Sequence, residues 1–259
     1  MKYNCDHKFG LISQCFNISK LLDTPLGYFD NFLLKLNGKM GGLNAVIDPS
    51  EVGNLSFMAK TMLIGLDVNH ASETEHISSS VAAAVGSLDS FFSSYTASIR
   101  IQKKEKDEIV KYLDQMIIEL LKEFFLKNNF YPENLIIFRD GVSDSMFEMV
   151  KKIEIPLIQA GINKIGKPMK IILIIIQKQH LTRFALVNVN SSGRKPTFNV
   201  PSGTVVDNTI VNPIYPMFYL NSHFSPLASI CFILYIYYYY YYLIFNTGNF
   251  SSHQIYNYS

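Results

Sequence analysis

Two short apolar runs, each leading into an aspartate, constrain the fold of this chain more than any other feature of its sequence. The run 62–66 (MLIGL) leads into Asp67, and the run 135–138 (LIIF) leads through Arg139 into Asp140. Apolar runs of this length are typical of strands buried on both faces of a sheet. The carboxyl ends of such strands are where α/β proteins carry their chemistry. The sequence therefore predicts a sheet with two carboxylates at one edge.

Helical patterns alternate with strand patterns along the chain. An apolar stripe at helical spacing covers 109–125, and a second helix is predicted near 145–160. Further strands are predicted at 95–101, where apolar and polar residues alternate, and at 171–176, which is wholly apolar. Strands that alternate with helices predict an α/β fold in which helices cover a central sheet.

The composition excludes few functions on its own. The 259 residues suffice for one large domain, or for one domain and part of another. The formal net charge is only +2, so nucleic-acid binding would depend on the local placement of lysines and arginines. Cys5, Cys15 and Cys231 show no metal-ligand spacing, and the N-terminus has no apolar signal region. We therefore expect a reducing compartment, the cytoplasm or the nucleus.

The two aspartates permit two interpretations. On neighbouring strands, Asp67 and Asp140 could share a divalent ion, and Mg²⁺ suits them because it prefers oxygen ligands. Two such ions can activate a water molecule against a phosphodiester. The alternative is that each aspartate caps the turn or helix that follows its strand, a common place for this residue type. Spacing alone leaves both interpretations open.

Several segments, in chain order, resemble motifs of Argonaute proteins over about residues 2–223. They are IGLDVNH (64–70), VAAAVGSLDS (81–90), IIFRDGVSDSMFEMV (136–150), IIIQKQHLTRF (174–184), NVPSGTVVD (199–207) and FYLNSH (218–223). The resemblance implies a ribonuclease H-like mixed sheet flanked by helices, the PIWI domain, preceded by a partial guide-binding MID lobe. It also favours the metal interpretation of Asp67 and Asp140.

The resemblance divides the chain into three parts and implies truncation at both ends. Residues 1–55 resemble the C-terminal part of a MID domain, and 56–223 a PIWI domain incomplete at its C-terminus. The apolar, tyrosine-rich tail 224–259 is of low complexity and is predicted to lie outside the fold. Its stretch 227–245 approaches the length of a membrane span, but tyrosines would lie mid-span and no lysine or arginine flanks it. We therefore prefer translated non-coding sequence over a membrane anchor.

The resemblance also implies a catalytic tetrad of two aspartates, a glutamate on a mobile loop, and a fourth aspartate or histidine near the C-terminus. Asp67 and Asp140 match the aspartates and are the expected metal ligands, with Mg²⁺ or Mn²⁺ as cofactor. Glu108 is chosen as the glutamate because it opens the amphipathic helix, with Glu105 as the second choice. The alternative for either is a solvated acid in the first helical turn, favoured by the helix dipole.

The fourth member of the tetrad has no counterpart in the sequence. The region that follows 218–223 contains no aspartate or histidine at the family's spacing, and His253 lies in no matching motif. Cleavage by this chain is therefore expected to be impaired.

The same resemblance implies that Lys2, Gln14, Lys35 and Lys39 contact the 5′-phosphate of a guide RNA. Lys35 and Lys39 are four residues apart and so share one face of a predicted helix. Ammonium groups and an amide that converge on a phosphate form a sound anion site. Without the resemblance, a solvated basic helix face would be the simpler interpretation.

Five further residues are candidates for contacts to the RNA backbone: His70, Lys178, His180, Thr182 and Arg183. A lone histidine or arginine at such a position equally often makes a structural hydrogen bond. Both roles stay open for each residue.

The function implied by the resemblance is small-RNA-guided binding of a target RNA in gene silencing, with Mg²⁺-dependent endonuclease cleavage where the site is complete. The implied partners are a small guide RNA, a target RNA and silencing cofactor proteins, with no membrane. Two alternatives remain open. One is a guide-dependent silencing factor that never cuts, and the other is a pseudogene or mis-spliced fragment without function.

Overall fold

The computed structural model describes residues 3–18, 27–46, 55–70, 79–102, 108–178, 180–186, 200–213, 216–223 and 230–239. The strands are β1 (Thr61–Asn69), β2 (Ser80–Ser87), β3 (Tyr95–Gln102), β4 (Asn134–Asp140), β5 (Lys170–Gln177), β6 (Thr204–Val206), β7 (Met217–His223) and β8 (Ile230–Tyr239). The helices are α1 (Tyr28–Lys39), α2 (Leu55–Ala59), α3 (Leu113–Asn128) and α4 (Phe147–Ile165), with a π-helix at Asn4–Phe9 and a 3-10 turn at Asp144–Met146.

The strands form one mixed sheet in the order β3-β2-β1-β4-β5-β8-β7-β6. The central strands β1, β4 and β5 run parallel, as the apolar runs in their sequences require, because parallel strands are normally buried on both faces. On either side the pairing is antiparallel. The predicted α/β class, a mixed sheet flanked by helices, is confirmed.

Helices α3 and α4 pack on one face of the sheet and share a core with it. The strand residues that are buried on this face alternate with residues on the opposite face, because successive strand side chains point to opposite sides. On β1, Ile64 and Leu66 are buried, whereas Gly65 and Asp67 between and after them are exposed. The catalytic candidates on the strands therefore lie on the face away from α3 and α4.

The amphipathic helix begins later than its apolar stripe indicates. Ile109 and Val110 are buried but precede α3, whose first residue is Leu113. The backbone of this segment bonds to side chains of other elements: Glu108 O accepts a hydrogen bond from Arg139, and Val110 N donates to Glu154 Oε1 at 3.0 Å. The prediction that Glu108 opens the helix is wrong, and so is the alternative that it is a first-turn acid.

The tail does contribute to the fold, contrary to the prediction that 224–259 lies outside it. Residues 230–239 form β8, which pairs antiparallel with β5 on one side and with β7 on the other. Isoleucine, phenylalanine and tyrosine favour pleated strands, and the gap between β5 and β7 offers backbone partners on both edges. The alternative of a membrane helix is equally wrong for 230–239, and residues 224–229 and 240–259 lie outside the described part of the chain.

The N-terminal segment carries the π-helix and α1. No side chain of α1 is buried, although Phe32 makes an edge contact with Phe16, with ring centroids 5.6 Å apart. The boundary near residue 55 between a MID and a PIWI part remains a prediction. Among the described residues, no helix is both long enough and apolar enough to span a membrane.

Candidate functional site

Asp67 and Asp140 lie side by side on adjacent strands. β1 and β4 are parallel, and their register pairs Leu66 with Arg139, so the two aspartates are the next residues along. Leu66 and Arg139 are buried on the helix-covered face, which places both aspartates on the opposite face. Neighbouring strand backbones are about 4.8 Å apart, so two carboxylates here can reach a common ion. The structure thus brings together the pair that the sequence predicted.

Gly141, directly after Asp140, leaves the space between two of the carboxylates open. Its φ is +80°, and a Cβ atom at this position would lie 3.8 Å from Asp67 Oδ1 and 3.8 Å from Glu108 Oε2. A side chain longer than alanine would therefore extend into the space that these two carboxylates border. A left-handed φ also disfavours any residue other than glycine here.

Glu108 reaches this space from the segment before α3. One of its carboxylate oxygens, Oε1, lies 2.8 Å from His70 Nε2, and its backbone oxygen accepts a hydrogen bond from Arg139. His70 follows β1 directly, so the structure places this predicted RNA contact against Glu108. Glu105, the second choice for the glutamate, lies outside the described residues.

A fully buried ion pair fixes the segment that carries Glu108. Arg139 and Glu154 are 0% exposed, and Arg139 Nε lies 3.0 Å from Glu154 Oε2. The same guanidinium donates to the backbone oxygens of Glu108 and Asp140. No role was predicted for either residue from the sequence. Glu154 could have been found, because it is a charged residue on the otherwise apolar stripe of α4.

Both carboxylate oxygens of Asp140 are engaged by the chain itself. Oδ1 accepts a hydrogen bond from Gly141 N at 2.9 Å, and Oδ2 accepts one from Lys178 Nζ. Lys178 was predicted as an RNA contact, and the structure places it at the site as the ion-pair partner of Asp140. With the side chains in these positions, no three Asp, Glu, His or Cys residues of the described part of the chain form a group able to hold a metal ion.

The donor set nevertheless fits a divalent cation of the Mg²⁺ type. Asp67 and Glu108 border one open space, and Asp140 lies on the strand next to Asp67. All three offer carboxylate oxygens, which are the ligands that Mg²⁺ and Mn²⁺ prefer.

An open groove of about 1010 Å³ adjoins Asp140. Its lining residues are Asp140, Gly141, Val142, Ser143, Asp144, Ser145, Ile176, Gln177, Lys178, His180 and Tyr219. Gln177, the last residue of β5, bonds to the segment that follows β4. Its Nε2 donates to Asp144 Oδ1 at 2.7 Å and to Val142 O at 3.2 Å. Lys178, whose side chain is 55% exposed, lines the groove beside Asp140.

The remaining candidates for RNA contacts lie in the segment after β5. The ring of His180 stands edge-on to Tyr219, with centroids 5.8 Å apart. Arg183 Nη1 donates to the backbone oxygens of His180 and Thr182 at 2.7 and 2.8 Å. His180 lines the groove, whereas Thr182 and Arg183 are not among its lining residues.

The row of residues that contains both aspartates continues across the sheet. Asp140 pairs with Ile176 on β5, and Ile176 pairs with Leu234 on β8. Leu234 is 7% exposed. The strand on the far side of β5 therefore contributes a buried apolar side chain to this row. His223, the histidine closest to Leu234 along the chain, is the last residue of β7. His253 lies outside the described residues.

Lys39 and Gln14, two of the four predicted phosphate contacts, each bond to backbone oxygens of the N-terminal segment. Lys39 Nζ, at the end of α1, donates to Ser13 O at 2.7 Å, next to Gln14. Gln14 Nε2 donates to Cys15 O at 2.9 Å. Lys35 lies one turn earlier on α1 and is exposed. Lys2 lies outside the described residues.

Several known proteins are similar to this chain. Protein argonaute 2 of Oryza sativa subsp. japonica is 37% identical over 226 residues, which are 86% of this chain and 22% of that protein. The chain thus spans less than a quarter of the length of this curated relative. The crystal structure of the C-terminal lobe of a budding yeast Argonaute is 26% identical, with a TM-score of 0.80, over 92% of this chain and 50% of that one.

The structure of Kluyveromyces polysporus Argonaute with a guide RNA gives a TM-score of 0.79 at 26% identity, over 92% of this chain and 28% of that one. These similarities confirm the predicted ribonuclease H-like class of the sheet. The Piwi domain family matches residues 1–230. The chain therefore carries a Piwi domain and belongs to the Argonaute family.

Proposed function

We propose that this chain binds a small guide RNA through its 5′-phosphate and presents it to a complementary target RNA in gene silencing. The observation that carries the proposal is the contact between α1 and the segment before it, where Lys39 Nζ lies 2.7 Å from Ser13 O beside Gln14. This contact holds the ammonium of Lys39 against the residue that precedes Gln14 in the chain, and Lys35 lies one turn earlier on α1. The Kluyveromyces polysporus relative with its guide RNA supports the same class of ligand.

A binding comparison tests this proposal. Fluorescence anisotropy should give tighter binding of a 5′-phosphorylated RNA than of the same RNA with a 5′-hydroxyl. Lys35→Ala with Lys39→Ala should weaken binding of the phosphorylated strand by about tenfold or more, because each lost charged hydrogen bond contributes roughly 1.5–3 kcal/mol. The matched control, Lys122→Ala with Lys127→Ala on α3, removes the same charge elsewhere. Equal affinity for the two RNAs would reject the proposal.

We further propose that Asp67, Asp140 and Glu108 hold Mg²⁺ or Mn²⁺ above the groove. A divalent cation bound there supplies Lewis-acid stabilisation of a phosphodiester. Asp67 and Asp140 serve as ligands on rigid strands. Glu108 is kept in reach by His70 at its carboxylate and by Arg139 at its backbone oxygen. In this proposal Lys178 and His180, which line the groove, contact the RNA backbone.

Guide-dependent binding without efficient cleavage is the version of this function that the site favours. The row through Asp67 and Asp140 continues through Ile176 to Leu234, so β8 contributes an apolar side chain to this row and not a further ligand. Loss of one ligand leaves a metal poorly fixed, and a displacement of about 1 Å costs catalysis on the order of a hundredfold. This favours a silencing factor that holds its target over an efficient endonuclease.

An end-labelled target paired to a guide, incubated with Mg²⁺ or Mn²⁺, separates the two activities. We expect retention of the target in an anisotropy assay and no cut opposite the guide above the level of the Asp67→Ala variant. A specific cut that Asp67→Ala or Asp140→Ala abolishes would contradict this and would indicate that another residue supplies the ligand. A cooperative urea transition in the same preparation would argue against an unfolded, functionless chain.

A further inference from the structure

We propose that Lys178 is a removable counter-ion of Asp140, which weakens metal binding until an RNA phosphate draws it away. The inference rests on the proposed metal and RNA sites and adds a coupling between them. The observation behind it is that both oxygens of the Asp140 carboxylate have partners within the chain. Asp140 has both oxygens engaged, one by the backbone nitrogen of Gly141 at 2.9 Å and the other by the ammonium of Lys178.

The contact follows from the strand register and is not an accident of a flexible side chain. Asp140 pairs with Ile176 on β5. Lys178 is the first residue after β5, two positions beyond Ile176, and its Nζ contacts Asp140 Oδ2. Its four-carbon side chain starts one strand away from the aspartate, so it reaches the carboxylate without any change in the backbone.

A divalent cation and Lys178 compete for Oδ2 of Asp140. Mg²⁺ needs carboxylate oxygens at roughly 2.0–2.1 Å in a near-octahedral shell, and an ammonium hydrogen-bonded to the same oxygen occupies the approach. The two cations also repel each other at this distance. The ion pair with Lys178 therefore opposes metal binding, and this opposition is removed when Lys178 leaves.

A bound RNA would offer the ammonium of Lys178 an alternative anionic partner. Its side chain is 55% exposed at the rim of the groove beside Asp140. An ammonium on a flexible stem turns readily from one anion to another. The other carboxylate of the groove, Asp144, already accepts a hydrogen bond from Gln177. A phosphate in the groove would thus be a new partner for Lys178, and its arrival would free Asp140 for the metal.

The first test measures metal binding in the absence of RNA. The full chain is titrated with Mn²⁺, and free Mn²⁺ is followed by electron paramagnetic resonance. Lys178→Met should reach half-saturation at a Mn²⁺ concentration roughly threefold to tenfold lower than the unaltered chain, as expected for loss of a partly exposed ion pair and of a nearby positive charge. Lys178→Arg should stay near the unaltered chain. The control Lys151→Met removes an exposed lysine of α4 and should change nothing.

The second test adds a 5′-phosphorylated RNA paired to its complement. Mn²⁺ binding should tighten in the unaltered chain towards the value of Lys178→Met, and should not tighten further in that variant. Equal Mn²⁺ affinity of Lys178→Met and the unaltered chain, or an equal gain in Lys151→Met, would overturn the inference. The double variant with Asp67→Asn and Asp140→Asn tests the metal site independently of Lys178. If this variant still binds Mn²⁺, the proposed metal site is wrong.

Discussion

Arg139 and Glu154 carry opposite charges at a depth where neither side chain reaches solvent. Burial of two charges is costly unless the remaining hydrogen-bonding groups are also satisfied. Here they are satisfied, because Glu154 also accepts from Val110 N, and Arg139 also donates to the backbone oxygens of Glu108 and Asp140. The pair therefore positions two catalytic candidates through their backbone and does not contact the proposed metal space itself.

Removal of one partner should be far more harmful than removal of both. Arg139→Met leaves the Glu154 carboxylate buried without its cation and should lower the free energy of unfolding by about 3–5 kcal/mol. Arg139→Met combined with Glu154→Leu should recover part of that loss. Urea denaturation at pH 7 measures both. Arg183→Met, a change at an exposed arginine, serves as the control and should stay within about 0.5 kcal/mol.

Some residues of the site could be predicted from the sequence, and others could not. Asp67 and Asp140 could be placed together because strand ends and apolar runs are local signals. Glu154 was missed because helical periodicity marks a position as buried without showing which residue from another element meets it there. The partner of His70 was missed for the same reason, since Glu108 lies 38 residues away in the chain.

At the scale of elements, α3 and α4 approach each other closely at Gly161. A Cβ atom there would lie 2.8 Å from the backbone oxygen of Asp114 and 3.3 Å from Ile117 Cβ. A backbone oxygen cannot rotate away as the end of a side chain can. Glycine is thus required at this point by the helix contact, although it is unfavourable within a helix.

Gly161→Ala should therefore destabilise the protein by about 1–3 kcal/mol, in spite of the better helix propensity of alanine. Gly38→Ala in α1 is the matched control, because its Cβ would meet only Asn44 Nδ2 at 3.6 Å. That change should be neutral or stabilising by up to about 1 kcal/mol. Thermal or urea unfolding of the two variants gives the comparison, and an equal effect of both would refute the role of the α3–α4 contact.

An ion pair links the same two helices and makes their contact sensitive to acid. Lys164 Nζ donates to Asp114 Oδ2 at 2.7 Å, and this hydrogen bond lowers the pKa of Asp114. Since the folded pKa lies below the unfolded value of about 3.9, the pair stabilises the fold above that pH. Its contribution is lost as the pH falls through the folded pKa.

Lys164→Gln should cost at most about 1 kcal/mol at pH 7, because the lysine is largely exposed and the pair is screened by solvent. The difference from the unaltered chain should shrink as the pH is lowered below about 4 and vanish once Asp114 is protonated in both states. Urea titrations across this range test it, with Lys167→Gln as the control. A difference independent of pH would show that Lys164 acts by packing alone.

Elements with a clear hydrophobic period were predicted well, but the first residue of α3 was not. The strands at 95–101 and 171–176 differ by about one residue from β3 and β5, since alternation and apolar runs report local burial. The start of α3 was misplaced because the apolar stripe also covers the preceding segment, whose backbone bonds to Arg139 and Glu154. β8 was missed because low complexity was given more weight than the strand propensity of tyrosine and isoleucine.

For the whole molecule, β8 is the element on which the extent of the sheet depends. It lies between β5 and β7, so β6 and β7 join the other strands only through it. A chain shortened before Ile230 should lose the β6–β7 pair from the sheet and expose the edge of β5. We expect such a chain to unfold at a lower urea concentration and to aggregate, because an open apolar strand edge invites pairing between molecules.

The matched comparison is a chain shortened after Tyr239, which keeps all of β8. Its urea midpoint should exceed that of the chain shortened before Ile230, and Met217 and Tyr219 on β7 should keep slow amide exchange only in the longer version. Equal midpoints and equal exchange would show that β8 does not hold β7 to the sheet.

The order of strands in the sheet differs from their order of synthesis. β6 and β7 leave the ribosome before β8, yet they can attach to the strands made earlier only after β8 has been added between them. At about 5–20 residues per second, the nascent chain passes through a stage in which both β5 and β7 lack a neighbour on the edges that β8 later fills. The period between the emergence of His223 and that of Tyr239 is therefore when a nascent chain most needs a chaperone.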